Sequence, residues 1–284
     1  MSCLLAFFAP SRGHSVLLFL LFSLAARAAE PVISSAKSAT NGFVVHTVQS
    51  EFQGGPTKIY IRTPDKILPG ARLPVLHLLP VEAKDEQRWG DPLAEAAKLD
   101  LANKLNVIVA YTTFSHLPWF CDHATDLRIR QETYFLKVVV PFIERAYPAR
   151  AERDARLLLG FSKSGWGAWS LLLRNPELFG KAAAWDSPMM MEKGLYGMAA
   201  IAGTQENFGR HRIPTLLRER GKSLGSEPRL LLMGYENFRA PTQQAHALLD
   251  ELGIPHAYRD GPQRKHHWNT GWVEEAARWL ATGQ

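Results

Sequence analysis

Cysteine is almost absent: only Cys3 and Cys121 occur among 284 residues, and Cys3 falls in an apolar N-terminal segment. No intrachain disulfide is available to the rest of the chain, so a stapled scaffold is excluded. A structural zinc site is unsupported as well. Cys121, Asp122 and His123 adjoin one another, but no second ligand pair stands at zinc-finger spacing. Adjacent residues on an extended chain also point to different sides, which argues against Cys121 as a nucleophile served by its neighbours. No Gly-Lys-Ser/Thr follows Gly160 at the spacing of a phosphate-binding loop. Basic runs and aromatic–basic interleaving are missing, so the formal net charge of +6 reads as a solvated surface and not as a nucleic-acid footprint. Internal repeats, low-complexity tracts and an interdomain linker are also missing. No metal and no cofactor is expected.

Long apolar runs are scarce too. The stretch Val16 to Leu24 is too short to span a bilayer comfortably. Arg12 precedes it and Ala26-Arg-Ala28 follows it, the pattern of a cleavable signal peptide. The expectation is therefore a signal peptide over 1–28, a mature chain beginning at Ala29, export to the periplasm or medium, and no stable membrane span. Residues 29–284 form one domain in this reading, a usual size for a single α/β unit. Loss of Arg12 and Arg27 leaves 31 basic against 27 acidic residues, a net charge of +4.

What is present is an apolar strand that runs into small residues around one serine. In Leu157-Leu-Leu-Gly-Phe-Ser-Lys-Ser-Gly-Trp166, Ser162 is flanked by Gly160 and Ser164. This approximates the G-x-S-x-G nucleophile elbow, with Ser in place of the second Gly. Far downstream, His266 and His267 stand in a loop before a final amphipathic helix. An elbow serine followed by a loop histidine is the α/β-hydrolase chain order.

The hydrophobic pattern alternates strand and helix. Strands are expected over 43–49 and 57–62 with a hairpin turn at Gly54-Gly-Pro56, and over 73–79, 106–111, 155–160, 181–185 and 228–237. The segment from Leu252 to Tyr258 reads as the last strand. One helix is expected from Asp91-Pro92 to Lys104. Others are expected from 130 to 147, kinked or divided at Pro141, from 164 to 174 and from 243 to 252. Residues 188–227 read as an insertion over the site. This order implies a mostly parallel central sheet with helices on both faces, an α/β-hydrolase fold.

Between these landmarks stand Trp119-Phe-Cys-Asp122, Gln131-Glu-Thr-Tyr134 with Pro141-Phe-Ile, Gly203-Thr-Gln-Glu-Asn207 and Gly253-Ile-Pro-His-Ala-Tyr258. In their order the chain resembles the esterase D-like family of α/β-hydrolases over about residues 43 to 280. The resemblance implies a serine esterase with Ser162 as nucleophile. Related esterases place the histidine two residues before a tryptophan, which selects His266 as base over His267, with Trp268 as the marker. The oxyanion hole is expected from the backbone N–H of Lys163 and of Val81 or Glu82.

The chain departs from the family in two places. Pro80-Val81-Glu82 stands where members usually carry His-Gly, and Asn237 stands where the family's triad aspartate is counted from Gly234. Asp186 and Glu236 are the carboxylates available instead, and Asp186 is favoured because it follows directly from an apolar strand. The Lys163 side chain is expected to face solvent, with binding of a substrate carboxylate as the alternative. Trp89, Trp119, Trp166, Trp185 and Trp268 are candidates for a pocket, with core packing the commoner fate. The substrate is expected to be a small-molecule or carbohydrate-linked ester. A catalytically eroded binding protein, suggested by Pro80 and Asn237, and an acyltransferase using Ser162 are the alternatives.

Overall fold

A computed structural model describes residues 30–284; the expected signal peptide lies outside them. The chain begins on the antiparallel side of the sheet with β1 (Val32–Ile33), β2 (Lys37–Ser38), β3 (Val44–Gln49) and β4 (Thr57–Arg62). β3 and β4 pair antiparallel across the expected hairpin. Ile59 and Ile61 of β4 are buried while their neighbours are half-buried, the alternation of strands with one covered face.

The parallel part comprises β5 (Val75–Leu78), β6 (Ile108–Thr112), β7 (Arg156–Phe161), β8 (Lys181–Trp185), β9 (Leu230–Tyr235) and β10 (His256–Gln263). Their spatial order is β6-β5-β7-β8-β9-β10, with β4 joined antiparallel to β6. β5, β6 and β7 are buried along their whole length. Helices cover both their faces, which is why these strands read as continuous apolar runs.

The helices are α1 (Pro92–Lys98), α2 (Leu101–Leu105), α3 (Gln131–Tyr134), α4 (Val140–Ala146), α5 (Ser162–Arg174), α6 (Met198–Ala202), α7 (Gln205–His211), α8 (Ile213–Arg220), α9 (Arg239–Glu251) and α10 (Trp272–Thr282). Two apolar cores result, one per face. One gathers Trp166, Trp169 and Leu171 of α5 with Leu216 and Leu217 of α8. The other gathers Leu93 of α1 with Trp272, Val273 and Ala276 of α10.

Local chemistry explains where the elements depart from expectation. The helix opened by Asp91, whose side chain caps Leu93 and Ala94 N–H, does not continue to Lys104. It breaks at Asp100, which adopts a left-handed φ of 51° before α2. Pro141 does not divide the next helix. A π-helical segment, Phe135–Val139, precedes it, with Val140 N–H bonded to Phe135 C=O. The wider turn absorbs the missing proline donor while the chain stays helical. The last strand starts at His256 and not at Leu252, because Leu252 caps α9 and Gly253 turns the chain at φ 63°. Residues 188–227 do more than cover the site: α8 packs against α5 and belongs to the core.

Candidate active site

The elbow is built by close approach. A Cβ on Gly160 would fall 2.4 Å from Ser164 O, and one on Gly165 would fall 2.0 Å from Ser187 Oγ. Glycine at both positions lets α5 start directly above β7 and against the end of β8. Ser162 turns the chain at φ 53°, a strained value for a residue with a side chain. The serine at the plus-two position has its own task. Ser164 Oγ accepts from Phe161 N–H at 3.1 Å and donates to Phe161 C=O at 3.0 Å, locking the turn from inside.

Asp186 directly follows β8 and also carries a positive φ, 41°. Its carboxylate is fully buried. Oδ1 accepts from Phe238 N–H at 2.8 Å, and Oδ2 accepts from Asn237 N–H at 3.0 Å. Oδ2 also lies 2.7 Å from His266 Nδ1. Burial pushes the Asp186 pKa up, but the His266 ring and the backbone donors of Asn237, Glu236 and Phe238 outweigh it, so the carboxyl sits below its ordinary value. The cradle depends on Gly234. Its φ is 64°, and a Cβ there would fall 1.7 Å from Trp185 Nε1, so only glycine lets β9 turn against β8 at this point.

His266 follows β10 and is 7% exposed. Trp89 and Phe161 meet its ring edge-on at centroid distances of 5.0 and 4.9 Å. Glu236 takes a different position from Asp186: its carboxylate accepts the backbone N–H of His266 and holds the loop, not the ring. Asn237 contributes its main-chain N–H to Asp186, and its side chain reaches the cavity wall. The His267 ring packs against Gly90, where a Cβ would meet it at 2.2 Å, and faces an adjoining depression instead of the Ser162 cavity. Trp268 is buried, and its main-chain N–H donates to Trp89 C=O at 2.9 Å.

Ser162 and His266 line one cavity of about 590 Å³, with Glu82, Trp89, Leu117, Lys163, Tyr196 and Phe238 among its walls. Among the described residues no hydrogen bond joins the Ser162 hydroxyl to His266. Such contacts are often long in ligand-free sites and tighten on substrate binding. Lys163 is the second residue of α5, so its N–H belongs to the free first turn of a helix. Leu79 N–H donates to Leu159 C=O at 2.9 Å, which holds the Pro80-Val81-Glu82 loop beside the end of β7. Val81 is the first residue of that loop able to offer an N–H, since Pro80 has none.

The Lys163 side chain does not face solvent. It is 13% exposed and its Nζ lies 3.2 Å from Glu82 Oε1, the same oxygen that accepts from Trp89 Nε1 at 2.9 Å. No motif pointed to this Glu82 pairing, nor to Tyr196 and Phe238 as wall residues. Of the five tryptophans considered, Trp89 alone lines the cavity; Trp119, Trp166, Trp185 and Trp268 are buried in the two cores. Cys121 is buried and its thiol pKa is pushed far up, chiefly by burial. Asp122 beside it is turned to Arg130 and Thr133, and His123 accepts from the backbone of Thr125 and Asp126.

A hydroxyl, an imidazole fixed at one ring nitrogen by a carboxylate, and backbone donors at a helix start are the groups that nucleophilic acyl transfer requires. The comparisons with known proteins agree with that chemistry. The family model described as Putative esterase matches residues 50–274. No curated protein matches the sequence. Among solved structures, a ferulic acid esterase is similar with a TM-score of 0.63 at 19% identity, covering 84% of this chain and 95% of its own. An S-formylglutathione hydrolase from Agrobacterium tumefaciens gives 0.65 at 16% identity, over 88% of this chain and 98% of its own. A fluorophosphonate-binding serine hydrolase from Staphylococcus aureus gives 0.63 at 14% identity, over 88% of this chain and 100% of its own. The chain belongs to this esterase family and is a carboxylic-ester hydrolase on an α/β-hydrolase fold.

Proposed function

We propose that the protein cleaves carboxylic esters through an acyl-enzyme on Ser162, with His266 as base and Asp186 as its orienting acid. The observation that carries this reading is the 2.7 Å contact between His266 Nδ1 and an Asp186 carboxylate cradled by two backbone N–H groups. With Nδ1–H donating a hydrogen bond to Asp186, the lone pair of Nε2 is left to take the proton of Ser162. The serine oxygen attacks the ester carbonyl, and the oxyanion is met by the N–H groups of Lys163 and Val81. Each such donor contributes about 3 kcal/mol in the transition state. Collapse of the tetrahedral intermediate returns the proton to the leaving alcohol. A water, deprotonated by His266, then attacks the acyl-serine and releases the acid.

The reading of an eroded binding protein rested on Asn237 and Pro80. Asp186 supplies a carboxylate that Asn237 lacks, while Asn237 itself serves as a backbone donor. Transfer of the acyl group to an acceptor other than water uses the same serine and is distinguished by product analysis. The walls of the cavity combine aromatic faces, Trp89, Tyr196 and Phe238, with the Glu82–Lys163 pair. They suit a small-molecule or carbohydrate-linked ester with a planar acyl group, such as the name of the ferulic acid esterase neighbour indicates for that protein. Export as a single mature domain from Ala29 completes the proposal, and N-terminal sequencing that returns Met1 or Ser2 overturns that part of it.

The decisive experiment is labelling with a fluorophosphonate followed by peptide mapping. Label is expected on Ser162, and Ser162→Ala is expected to abolish both labelling and p-nitrophenyl acetate hydrolysis while the protein stays folded. Hydrolysis that persists in pure, folded Ser162→Ala protein overturns the proposal.

A further inference from the structure

We propose that His246, Asp250 and His256 form a binding site for a divalent metal ion of the zinc class, which clamps the end of α9 to the start of β10. The trio lies apart from the Ser162 cavity, at the opposite end of β10 from the His266 loop. His246 and Asp250 are four residues apart on α9, so they share one helix face. The chain then turns at Leu252-Gly253 and returns with His256 as the first residue of β10. One ligand atom from each of the three side chains lies within 4.8 Å of the others.

The separations lie on either side of those in a tetrahedral shell. His246 Nδ1 is 2.8 Å from His256 Nε2. Asp250 Oδ1 is 4.0 Å from the same His256 Nε2, and Asp250 Oδ2 reaches the other nitrogen of the His246 ring, Nε2, at 3.5 Å, so His246 can offer either nitrogen, but only one, to an ion. Zinc–nitrogen bonds of about 2.0–2.1 Å in a tetrahedral site put two nitrogens roughly 3.3 Å apart. Parting the two rings by roughly half an ångström, with His246 sliding in the plane of its stack, opens the histidine pair to that distance.

Two further features prepare the donors. The His256 side chain is only 6% exposed, and its Nδ1 lies 2.9 Å from Ile254 C=O. With Nδ1–H donated to that carbonyl, Nε2 carries its lone pair toward His246 and Asp250. This is how a metal-bound histidine is usually anchored through its other nitrogen. The His246 ring is stacked on Tyr258 at a centroid distance of 3.9 Å, which limits its rotation. Two imidazoles and one carboxylate with an open fourth position suit zinc and its neighbours, and exclude the all-oxygen shells of calcium or magnesium. Asp250, 62% exposed, keeps that fourth position within reach of water.

The test uses the untagged protein after treatment with a chelator. Zinc titrated by calorimetry is expected to bind once per chain, and cobalt is expected to give the visible absorption of a tetrahedral N/O site. His246→Ala and Asp250→Asn, both at partly exposed positions, are each expected to weaken zinc at least about a hundredfold. Zinc at a hundred times its Kd is expected to raise the Tm of the parent protein by about 5 °C or more, and not that of the variants. Ester hydrolysis is expected to be unchanged in both variants, so the outcome is independent of the Ser162 assignment. Absence of zinc binding, or binding and Tm shift that survive in His246→Ala and Asp250→Asn, overturns the proposal and leaves the trio a hydrogen-bonded cluster.

Discussion

Lys163 Nζ lies 3.2 Å from Glu82 Oε1, so the residue after the elbow serine is tied to the loop that follows β5. These are the two segments from which the proposed oxyanion donors come. Because the same carboxylate oxygen holds the Trp89 indole, one side chain joins the elbow, the β5 loop and the aromatic wall. Glu82→Gln keeps an acceptor for Trp89 but removes the charge opposite Lys163. We predict a loss of about 1.5–3 kcal/mol in stability, the scale of a charged hydrogen bond, and a kcat lowered about tenfold with little change in KM. Steady-state kinetics beside thermal melts separates the two effects; kinetics identical to the parent contradict the positioning role.

The adjacent histidines are predicted to behave differently. His266→Ala removes the ring held by Asp186 and should lower kcat on the order of a thousandfold or more, as expected for a triad member. His267 faces the adjoining depression, so His267→Ala should act by less than about tenfold. The reverse ranking in a kcat comparison rejects the assignment.

The two carboxylates near His266 are predicted to separate by role. Asp186→Asn presents an amide to Nδ1, favours the wrong tautomer, and should cost up to about ten-thousandfold in kcat. Glu236→Gln retains an oxygen for the His266 backbone N–H and should cost at most about tenfold. A larger loss in Glu236→Gln than in Asp186→Asn overturns this order.

Acid should destabilise the protein through its buried carboxylates. Burial pushes the Glu132 pKa up, but His211, Arg174 and Asn175 outweigh it and hold it down at about 2. A carboxyl with a folded pKa below its unfolded value, about 4.3 for Glu, stabilises fully above that unfolded value and loses the contribution as pH falls through the folded one. The effect should appear between about pH 4.3 and 2 and amount to roughly 3 kcal/mol. Melting curves across this range should show Tm falling with pH, and Glu132→Gln should flatten the slope. An equal slope in the variant assigns the acid loss elsewhere.

The sheet was legible because burial on both faces leaves its mark in local sequence: β5 to β8 are short apolar runs bounded by polar residues. The elbow was legible for a similar reason, since close approach of α5 to β7 demands small residues within one turn. Contacts that span the chain left no such mark. His266 and Asp186 are 80 residues apart and Lys163 and Glu82 are 81 apart, and no local periodicity couples them. Asn237 shows why counting along a motif misleads, because at this position its backbone N–H, and not its side chain, contacts the buried carboxylate. The break at Asp100 and the π turn before Pro141 were missed because both depend on backbone geometry that the apolar pattern does not record. His246 and Asp250 carry an i,i+4 signal, yet His256 joins them only through the turn at Gly253.

Among the described residues β10 is the outermost strand of the parallel part, bonded on one side alone, to β9, whereas β7 and β8 lie inside the sheet. In the proposed triad, the imidazole and its two partners are therefore carried by regions expected to differ in their free energy of local opening. We predict that fraying of the edge withdraws His266, which follows β10, while Ser162 and Asp186 keep their places. On heating, turnover should vanish before the interior tryptophans lose their packing, and amide exchange should be faster along 256–263 than along 156–161. Catalysis would then report on the least secure strand of the molecule, not on its core.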